Sequence, residues 1–420
     1  MKSSVSQYLK RFEPVYAVNA SLKAMRDRWQ SRAISRQYRS LCKRVAVSYT
    51  LSHATAAVRQ RLQVRGIHLE SQAKGALRLL WVGADPSQDQ SGMLTALAKF
   101  GRVASFCDER GSYLQEFPTR PLDPGLIARN SALLVDRVRE LKHSQGLDIL
   151  IGQMWGNTMS AGALRKIQAL GVATVNIAMD DRLPWNWRPY RGNWIGARGL
   201  CPGLDLTLTS SHECCERYWC HGYPSVYWPF GSDPELFVPA AKREPVVCFI
   251  GGNYGVRRSL VRHLTRSGIP LAIYGPGWPN GPVGAVRMAE LFGSSLIVLG
   301  VGTVGHRRDL CTLKLRDFDA TMAGALYITS RNEDLYPLFA ENAEIVFYDN
   351  FREAAEKIRY YLDRPEEAMA IGNAAAARAR REHTWERRLD FAFDLLRVRI
   401  PGSDFVVRWR PAETQTLHPY

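Results

Sequence analysis

The sequence predicts an α/β protein in which two Rossmann-like, doubly wound domains face each other across a cleft, with a basic helical extension at the N-terminus. Short apolar runs alternate with helix-length segments in two separate series, as parallel sheets covered by helices require. A stretch with several prolines and little periodicity, 225–245, separates the two series. The length of 420 residues also exceeds what one ordinary hydrophobic core holds, which favours two domains.

The first 75 residues form the predicted basic helical extension. Residues 1–78 hold 16 of the 56 Lys and Arg but only 3 of the 40 Asp and Glu, so most of the net charge of +16 lies there. A helix packed on its own domain and a peripheral contact with an anionic membrane both fit this pattern. Binding of a polyanion also fits, but the rest of the chain is close to balanced, so we expect no nucleic-acid partner.

The predicted first domain spans 76–231, on the acceptor side of the cleft. Its expected strands are short apolar runs, several of which end in Gly or Asp, and helix-length segments lie between most of them. The predicted strands are 77–83, 102–108, 147–153, 172–181 and 204–210, and the predicted helices are 89–99, 123–143 and 158–169.

The predicted second domain spans 246–382 and follows a linker at 232–245. Its expected strands are 246–252, 271–275, 295–300, 325–329 and 344–349. Its expected helices are 255–266, 285–293, 314–323, 333–341, 351–363 and 365–382. A last amphipathic helix, 383–400, is expected to pack back toward the first domain, and 401–420 form a tail.

The stretch "LGVGTVGHRRD" (299–309) has the G-x-G-x-x-G spacing of a dinucleotide-binding turn. Such a site also needs a second strand that ends in an acidic residue about 20 residues further on. Asp319 has the right distance, but no apolar strand ends there and the surrounding residues have helical spacing. We therefore expect a glycine-rich loop at a strand end in the cleft rather than a site for NAD or FAD.

Eight cysteines show no regular framework, which favours a reducing cytoplasm. The cluster "SSHECCERYWCHG" (210–222) contains His and Cys, but its spacing fits no common zinc module, so no metal is expected. No apolar run approaches the about 20 residues of a membrane span, and the N-terminus lacks the apolar segment of a secretory signal. Cytoplasmic localisation, with possible attachment at the inner face of the membrane, is the expectation.

A set of motifs in one order resembles the CgeB-type (spore maturation protein CgeB-like) glycosyltransferase family. They are "NIAMDD" (176–181), "YWPFGSDPELF" (227–237), "FIGGNYGVRRSLV" (249–261), "YGPGW" (274–278), "LKLRDFDATMAGALYIT" (313–329) and "HTWERR" (383–388). The resemblance covers about 77–398 and is strongest over 225–390. It implies a GT-B fold in which the second domain holds a nucleotide-sugar donor.

The resemblance assigns most of the donor site to the second domain. Glycines would let the backbone approach the diphosphate, and cations would pair with its oxygens. The Arg side chains can equally belong to a solvated first helical turn. The expected donor-binding residues are Gly251, Gly252, Arg257, Arg258, Gly275, Gly300, Gly302, Lys314, Arg316, Asp319 and Gly324.

Asp319 stands where the family has a glutamate that binds the ribose hydroxyls, and its side chain is one methylene shorter. Many retaining GT-B enzymes have a second glutamate eight residues earlier, and here that position is Cys311. Retaining or inverting stereochemistry therefore stays open.

Asp180 and Asp181 end a predicted buried strand and are the catalytic candidates, one of them as the base for an acceptor hydroxyl. Asp181 can equally cap the next segment or pair with Arg182. The following segment, 182–198, interleaves arginines with aromatic residues that could stack on sugar faces or pack in an interface. The candidate acceptor-binding residues are Trp185, Trp187, Tyr190 and Trp194.

Together these observations predict a metal-independent, hexosyltransferase-like glycosyltransferase without a cofactor, because the nucleotide sugar is its substrate. The acceptor is not identified by the sequence. The alternative is a non-catalytic GT-B-like protein that binds a sugar or a partner, and the departures at Asp319 and Cys311 keep it open.

Overall fold

The computed structural model describes residues 13–45, 50–307 and 309–400. The first domain is built on a parallel sheet whose strands are apolar and almost fully buried, apart from the partly exposed edge strand Gly101–Ser105. These strands are β1 (Leu77–Val82), β2 (Gly101–Ser105), β3 (Ile149–Gly152), β4 (Ala173–Ala178), β5 (Leu206–Thr209) and β6 (Ser225–Tyr227). Their order in the sheet is β2-β1-β3-β4-β5-β6.

The second domain has a five-stranded parallel sheet. Its strands are β7 (Glu244–Ile250), β8 (Leu271–Tyr274), β9 (Ser295–Leu299), β10 (Leu326–Ser330) and β11 (Val346–Tyr348), in the order β11-β10-β9-β7-β8. In both sheets the strand order reverses between the first and third strands, and ligands of such sheets bind outside the carboxyl ends of the strands at that point. Two doubly wound sheets are thus confirmed.

Helices connect the strands and cover the sheets. Before and within the first domain they are α1 (Glu13–Val45), α2 (Leu51–Val64), α3 (Pro86–Gln88), α4 (Leu94–Ala98), α5 (Pro124–Ser144), α6 (Ala161–Ala169) and α7 (His212–Trp219). In the second half they are α8 (Val256–Arg266), α9 (Ala285–Ser294), α10 (Leu315–Met322), α11 (Phe351–Leu362), α12 (Pro365–Glu382) and α13 (Trp385–Leu395). Among the described residues, no helix is long and apolar enough to cross a membrane.

Three details differ from the sequence prediction. Strand β6 falls inside the stretch 225–245 and was missed because it has only three residues. The predicted helix 333–341 is only a 3-10 turn, Glu333–Leu335, followed by irregular backbone. The predicted helix 89–99 is divided by a π-helical turn at Asp89–Met93, because Gly92 has a φ of 130°.

The extension α1 contacts both domains. Near its C-terminal end, Tyr38 is buried against Trp187 of the first domain, with ring centroids 5.2 Å apart. A disulfide joins Cys42 of α1 to Cys220, a pairing that the sequence did not predict and that is unusual in the reducing cytoplasm it favoured. Closer to the N-terminal end of α1, Arg28 forms an ion pair with Asp309 of the second domain at 3.0 Å. The described part of the predicted extension is therefore largely helical, and α1 contacts both domains. Residues 1–12 and 46–49 of the extension and the predicted tail 401–420 lie outside the described residues.

The C-terminal helix α13 crosses to the first domain. Phe393 packs edge-on against Phe100 with centroids 4.9 Å apart, and Trp228 donates through Nε1 to the carbonyl of Arg388 at 2.7 Å. Arg388 is fully buried, and its Nε donates to the carbonyl of Phe230 at 3.0 Å. The "HTWERR" motif therefore contributes to the junction between the domains.

Candidate active site

The carboxyl end of β7 forms the floor of the cleft in the second domain. A Cβ on Gly251 would lie 2.5 Å from Nη2 of Arg316 and 3.2 Å from Nη1 of Arg257. Glycine at this position therefore lets two guanidinium groups reach the strand end. Gly275 has a φ of 124°, and a Cβ there would lie 2.5 Å from the carbonyl oxygen of Gly251. Two of the predicted glycines, Gly251 and Gly275, thus shape the edge of this sheet at the carboxyl ends of its strands.

Two arginines converge on this strand end with unpaired N–H groups. Arg257, in the first turn of α8, is 7% exposed and lies over the ring of Tyr254 at 4.5 Å. Arg316, in the first turn of α10, lies over Phe249 at 4.9 Å and donates to the carbonyl of Ile250. Nε of Arg257 and both Nε and Nη1 of Arg316 are buried and find no partner among the described residues. Burial and the charge of Arg316 lower the pKa of Arg257. An anion placed here would satisfy these donors.

Asp180 of the first domain reaches the same cluster. Its backbone has a φ of 52°, an uncommon conformation for a residue other than glycine. Its Oδ1 accepts hydrogen bonds from Nζ of Lys314 at 2.9 Å and from Oγ1 of Thr312 at 3.2 Å. Burial acts to raise the pKa of Asp180, but Lys314 and Thr312 outweigh it and hold the pKa below its ordinary value. Asp180 is thus an ionised carboxylate that links the first domain to Lys314.

Asp181 is not placed in the cleft, which corrects its choice as a catalytic candidate. Its side chain is 1% exposed, and the hydroxyl of Tyr218 donates to Oδ2 at 3.2 Å inside the first domain. Burial raises the pKa of Asp181 to about 6. The suggested pairing with Arg182 is also replaced, because Arg182 forms a two-pronged ion pair with Asp334 of the second domain at 2.7 and 3.0 Å.

The two positions at which the resemblance to glycosyltransferases leads one to look for glutamate offer no exposed carboxylate to the cleft. Asp319 is 2% exposed and accepts a hydrogen bond from Oγ of Ser232 at 2.7 Å, and burial raises its pKa well above the ordinary value. The thiol of Cys311 donates to the carbonyl of Arg331 at 3.3 Å, and burial raises its pKa to about 11. Asp319 therefore faces the segment between the domains, not an open ribose site.

Sequence reasoning missed the residues that hold Lys314 in place. Asp317 is fully buried and accepts hydrogen bonds from the backbone N–H of Lys314 at 2.7 Å and from the hydroxyl of Tyr327 at 2.5 Å. Burial raises the pKa of Asp317 to about 6. Asp317 is the third residue of α10 and accepts the backbone N–H of the residue before the helix, which is one half of a capping box. An acidic residue in the first turn of a predicted helix is the signal that could have identified it.

The remaining predicted glycines serve local packing. A Cβ on Gly300 would lie 2.3 Å from the hydroxyl of Tyr327, inside the sheet, and Gly302 donates its N–H to Oγ of Ser330 at 2.9 Å. The loop they begin is a hairpin in which Thr303 pairs with Cys311. In the described residues of this loop, the next helix after the glycines is α10, which begins only at Leu315, so the glycines do not open a helix as a dinucleotide-binding turn would.

Gly324 is not at the cleft, which corrects its place among the donor-binding residues. It has a φ of 72° directly after α10, beside Pro239 and Arg243. The next strand, β10, begins there, so Gly324 lies at the opposite end of the sheet from the strand ends that form the site. Gly252 and Arg258 do lie near the cleft floor. A Cβ on Gly252 would be 3.1 Å from the ring of Tyr254, and Arg258 is half-buried in the first turn of α8.

The four aromatic residues predicted to bind the acceptor differ in their exposure. Trp187 is 1% exposed and donates through Nε1 to the carbonyl of Asp181, so it belongs to the core and not to an acceptor platform. Arg198 covers the ring of Trp194 at 3.4 Å. Trp185 and Tyr190 are more than a third exposed and stay available to a ligand.

The described residues contain no group of three or more His, Cys, Asp or Glu side chains that could hold a metal ion. In the cluster 210–222, His212 stacks on Tyr227 with centroids 3.6 Å apart, Cys214 is buried, and Cys220 forms the disulfide. These contacts give the cluster a structural role. Independence from metals and cofactors stays a prediction.

Comparison with known proteins supports the class that the fold and the site suggest. Residues 257–394, about a third of the chain, match the family described as glycosyl transferase-like. This region holds both arginines of the cluster and Lys314, so the second half of the chain contains a glycosyltransferase-like domain. No curated protein shows significant sequence similarity to the chain.

Solved structures resemble the whole two-domain body. Sucrose-phosphate synthase from Thermosynechococcus elongatus has 12% identity and a TM-score of 0.51, with 76% of this chain and 98% of that chain covered. Anabaena HepE in complex with UDP has 11% identity and a TM-score of 0.52, with 76% and 99% covered. AviGT4, a glycosyltransferase involved in avilamycin A biosynthesis, has 16% identity and a TM-score of 0.51, with 77% and 97% covered. The fold is therefore GT-B, as predicted.

Proposed function

We propose that this protein is a glycosyltransferase that moves a sugar from a nucleoside-diphosphate donor to an acceptor hydroxyl. The observation that carries the proposal is the pair Arg257 and Arg316, whose buried N–H groups lack acceptors at the end of β7. A diphosphate supplies oxygens for both guanidinium groups and for Lys314. The first turns of α8 and α10 add the positive ends of two helix dipoles.

In the proposed reaction the acceptor oxygen bonds to the anomeric carbon of the sugar. The bond from that carbon to the diphosphate oxygen breaks, and its electron pair stays on the nucleoside diphosphate. Arg257, Arg316 and Lys314 stabilise the charge that develops there. When Lys314 turns to the diphosphate, Asp180 loses its main cationic partner and can take the proton of the acceptor hydroxyl.

The finer identity of donor and family is part of the same proposal. HepE is described in complexes with UDP and with UDP-glucose, so UDP-sugars are the first donors to test. A hexosyl donor and membership of the CgeB-type family rest on the sequence resemblance. We expect Trp185 and Tyr190, the exposed members of the aromatic set, to contact the acceptor.

The helix α1 of the N-terminal extension has features that support a peripheral contact with an anionic membrane. For a cytoplasmic protein this contact would be with the inner face of the membrane. Val18, Leu22, Met25 and Trp29 recur at intervals of four, three and four residues, and each is at least 56% exposed. They form an apolar stripe on one face of α1. Arg26 and Arg28 flank this stripe on its two sides. Exposed apolar and basic side chains on one helix are typical of binding at an anionic interface.

A non-catalytic sugar- or partner-binding protein is the second candidate. It is favoured by one observation, namely that Cys311 carries no carboxylate and that the carboxylate of Asp319 is buried. In that case the chain would bind a nucleotide sugar without transferring or hydrolysing it.

A thermal-shift panel of nucleotides, nucleotide sugars and NAD(P) tests donor binding. A bound nucleoside diphosphate raises the melting temperature by mass action, and NAD(P) is expected to have no effect. Arg316→Ala and Arg257→Ala should each weaken nucleotide affinity by about tenfold to a hundredfold, because each removes hydrogen bonds to a charged group. Arg266→Ala, in the exposed last turn of α8, is the matched control and should bind like the wild type. Unchanged affinity in both variants would remove the proposed site.

Turnover separates the two candidate functions. An enzyme hydrolyses or transfers the sugar of the donor that the panel selects, whereas a binding protein leaves it intact. Asp180→Asn should retain donor binding and lose turnover if Asp180 is the base. Normal turnover of this variant would exclude that role while leaving the donor site in place.

A further inference from the structure

A second cationic site lies where α1, the first domain and the hairpin of the second domain meet. It is a cavity of about 400 Å³. None of the side chains proposed to bind the diphosphate of the sugar donor, Arg257, Arg316 and Lys314 (the donor cluster), lines it. The residues that do are Ser31, Arg32, Ile34, Ser35, Arg36, Arg39, Arg182, Glu213, Arg217, Arg307 and Leu310. Six arginines against one glutamate give this cavity a strongly positive potential.

Part of this charge is balanced inside the protein. Arg217 pairs with Glu213, Arg307 with Asp309 at 2.9 Å, and Arg182 with Asp334. Arg217 is nevertheless 4% exposed and has a buried Nε without a partner among the described residues. One of the residues that line the cavity is therefore a buried cation with an unsatisfied donor.

The three arginines contributed by α1 are not balanced. Arg32 and Arg36 are exposed and make no hydrogen bond or ion pair within the described part of the chain. Arg39 makes only a 3.4 Å hydrogen bond to the carbonyl of Ser35 on its own helix. Guanidinium groups that outnumber the carboxylates beside them can recognise phosphate, because their planar donors match its oxygens.

The cavity lies beside the reaction centre. Arg182, which lines it, comes two residues after Asp180, and two residues span at most about 7 Å. Asp180 contacts Lys314 of the donor cluster. A ligand anchored in the cavity would therefore be close in the chain fold to Asp180, the proposed base for the acceptor hydroxyl.

The face of α1 that reaches the cavity has two halves. The apolar stripe, Val18, Leu22, Met25 and Trp29, continues with Arg32, Arg36 and Arg39 at the same alternating intervals of three and four residues. Residues with this spacing share one face of a helix. The exposed apolar half and the cationic half thus match a ligand with an apolar part and an anionic head.

We propose that this cavity binds the phosphate group of the acceptor, so that the acceptor substrate of the enzyme is a phosphorylated molecule. This assignment rests on the proposed function for its role in catalysis, but the cavity's affinity for phosphate is measurable without it. The phosphate belongs either to a lipid headgroup or to a soluble phosphorylated molecule.

Calorimetric titration with inorganic pyrophosphate tests the site. The protein is first saturated with the nucleoside diphosphate selected by the donor panel, so that the donor cluster is occupied. We expect a remaining pyrophosphate site whose affinity falls at least about tenfold in the double variant Arg32→Gln, Arg36→Gln, because hydrogen bonds to a charged group are lost. The double variant Lys43→Gln, Arg44→Gln makes the same charge change on the exposed last turn of α1 and should bind like the wild type.

The outcomes separate this proposal from the donor assignment. If pyrophosphate binds the nucleotide-saturated wild type and the Arg32, Arg36 variant equally, or binds neither, the cavity assignment is wrong while the donor site stands. If no nucleotide binds, the donor proposal fails, and the same titration of nucleotide-free protein still decides the cavity, because only its site depends on Arg32 and Arg36. The variant should keep the wild-type nucleotide affinity, which verifies that it folds.

Vesicle sedimentation distinguishes the two sources of phosphate. Binding to phosphatidylcholine vesicles that contain phosphatidic acid, lost in the Arg32, Arg36 variant and displaced by pyrophosphate, supports a lipid headgroup. Pyrophosphate binding that depends on Arg32 and Arg36, without any such vesicle binding, supports a soluble phosphorylated acceptor.

Discussion

Asp180 and Asp181 are adjacent, yet their carboxyl groups occupy opposite environments. The left-handed backbone at Asp180 turns its side chain toward Lys314 across the cleft, while Asp181 points into the first domain beside Tyr218. Burial of Asp181 without a cation raises its pKa to about 6, whereas the cation lowers the pKa of Asp180. The adjacent carboxylates are therefore expected to differ both in pH response and in importance for turnover.

Asp181→Asn should stabilise the protein at neutral pH and retain turnover. At low pH the Asp181 carboxyl is neutral in both the folded and the unfolded chain. Above about pH 6 it is charged in both, and the folded chain carries the free-energy cost of burying that charge. The free energy of unfolding of the wild type therefore falls as pH rises from about 4 to about 6. A pKa raised by about two pH units corresponds to a burial cost of about 3 kcal/mol for the charged carboxylate. The uncharged side chain of the Asp181→Asn variant does not have this cost.

Urea denaturation of both proteins at several pH values measures this difference. The stability gained by Asp181→Asn should be small at about pH 4 and reach its full size above about pH 6. Asp136→Asn removes the same charge from an exposed position on α5 and should show no such pH dependence. A gain for Asp181→Asn that does not vary with pH would contradict the assigned burial cost.

The candidate site was predictable where backbone position alone decides it. Gly251 follows an apolar run and Arg257 and Arg316 lie in first helical turns, so their approach to the strand end follows from the fold. The direction of a side chain depends on distant residues instead. Asp319 turns to Ser232, and Trp187 packs against Tyr38, a partner about 150 residues earlier in the chain.

At the scale of elements, each predicted strand was found because buried parallel strands appear as continuous apolar runs. Failures occurred where a segment was too short or too irregular for periodicity to show. The apolar residues Leu335, Leu338 and Phe339 are buried as a helix would bury them, but the backbone after Leu335 is not helical. Spacing alone does not distinguish these cases.

The disulfide Cys42–Cys220 should fix α1 to the first domain. It closes a sequence separation of 178 residues, and loops of this length give typical stabilisation of about 2–4 kcal/mol. Cys42→Ser should lower the free energy of unfolding by about that amount. The variant should also weaken pyrophosphate binding in the cavity, because Arg32, Arg36 and Arg39 are on the same helix. Nucleotide binding, which needs only the second domain, should not change.

Thiol counting and a matched variant test this role. The unfolded, non-reduced chain should show six free thiols among its eight cysteines. Cys107→Ser replaces a half-buried free cysteine and should leave both stability and pyrophosphate binding near the wild-type values. Eight free thiols in protein purified without reductant would show that α1 is not held in this way.

For the whole molecule, the extension helix α1 is joined to both domains. Asp180–Lys314 and Arg182–Asp334 join the two domains directly at the cleft, and Arg28–Asp309 joins α1 to the second domain. The disulfide joins the same helix to the first domain. One helix thus bridges both domains beside the proposed acceptor cavity and exposes its apolar stripe outward. Attachment of the stripe to a surface would place the cavity near that surface.

Membrane binding through the stripe is expected to depend on its apolar side chains as well as on charge. The double variant Leu22→Gln, Met25→Gln keeps net charge and helix propensity but removes two exposed apolar groups. Burial of such side chains contributes about 1.5–3 kcal/mol each, so the variant should bind phosphatidylserine-containing vesicles at least about tenfold more weakly than the wild type.

Sedimentation with vesicles of phosphatidylcholine and phosphatidylserine measures this affinity. Val64→Gln together with Val286→Gln removes two exposed apolar groups away from the stripe and should leave vesicle binding unchanged. The spacing of the stripe also suits pairing with a second copy of α1. The wild-type protein could therefore fail to bind vesicles and form a dimer instead, while the Leu22, Met25 variant stays monomeric. That result would identify a second copy of the chain, and not a membrane, as the partner of the stripe. Light scattering on the same samples detects that outcome.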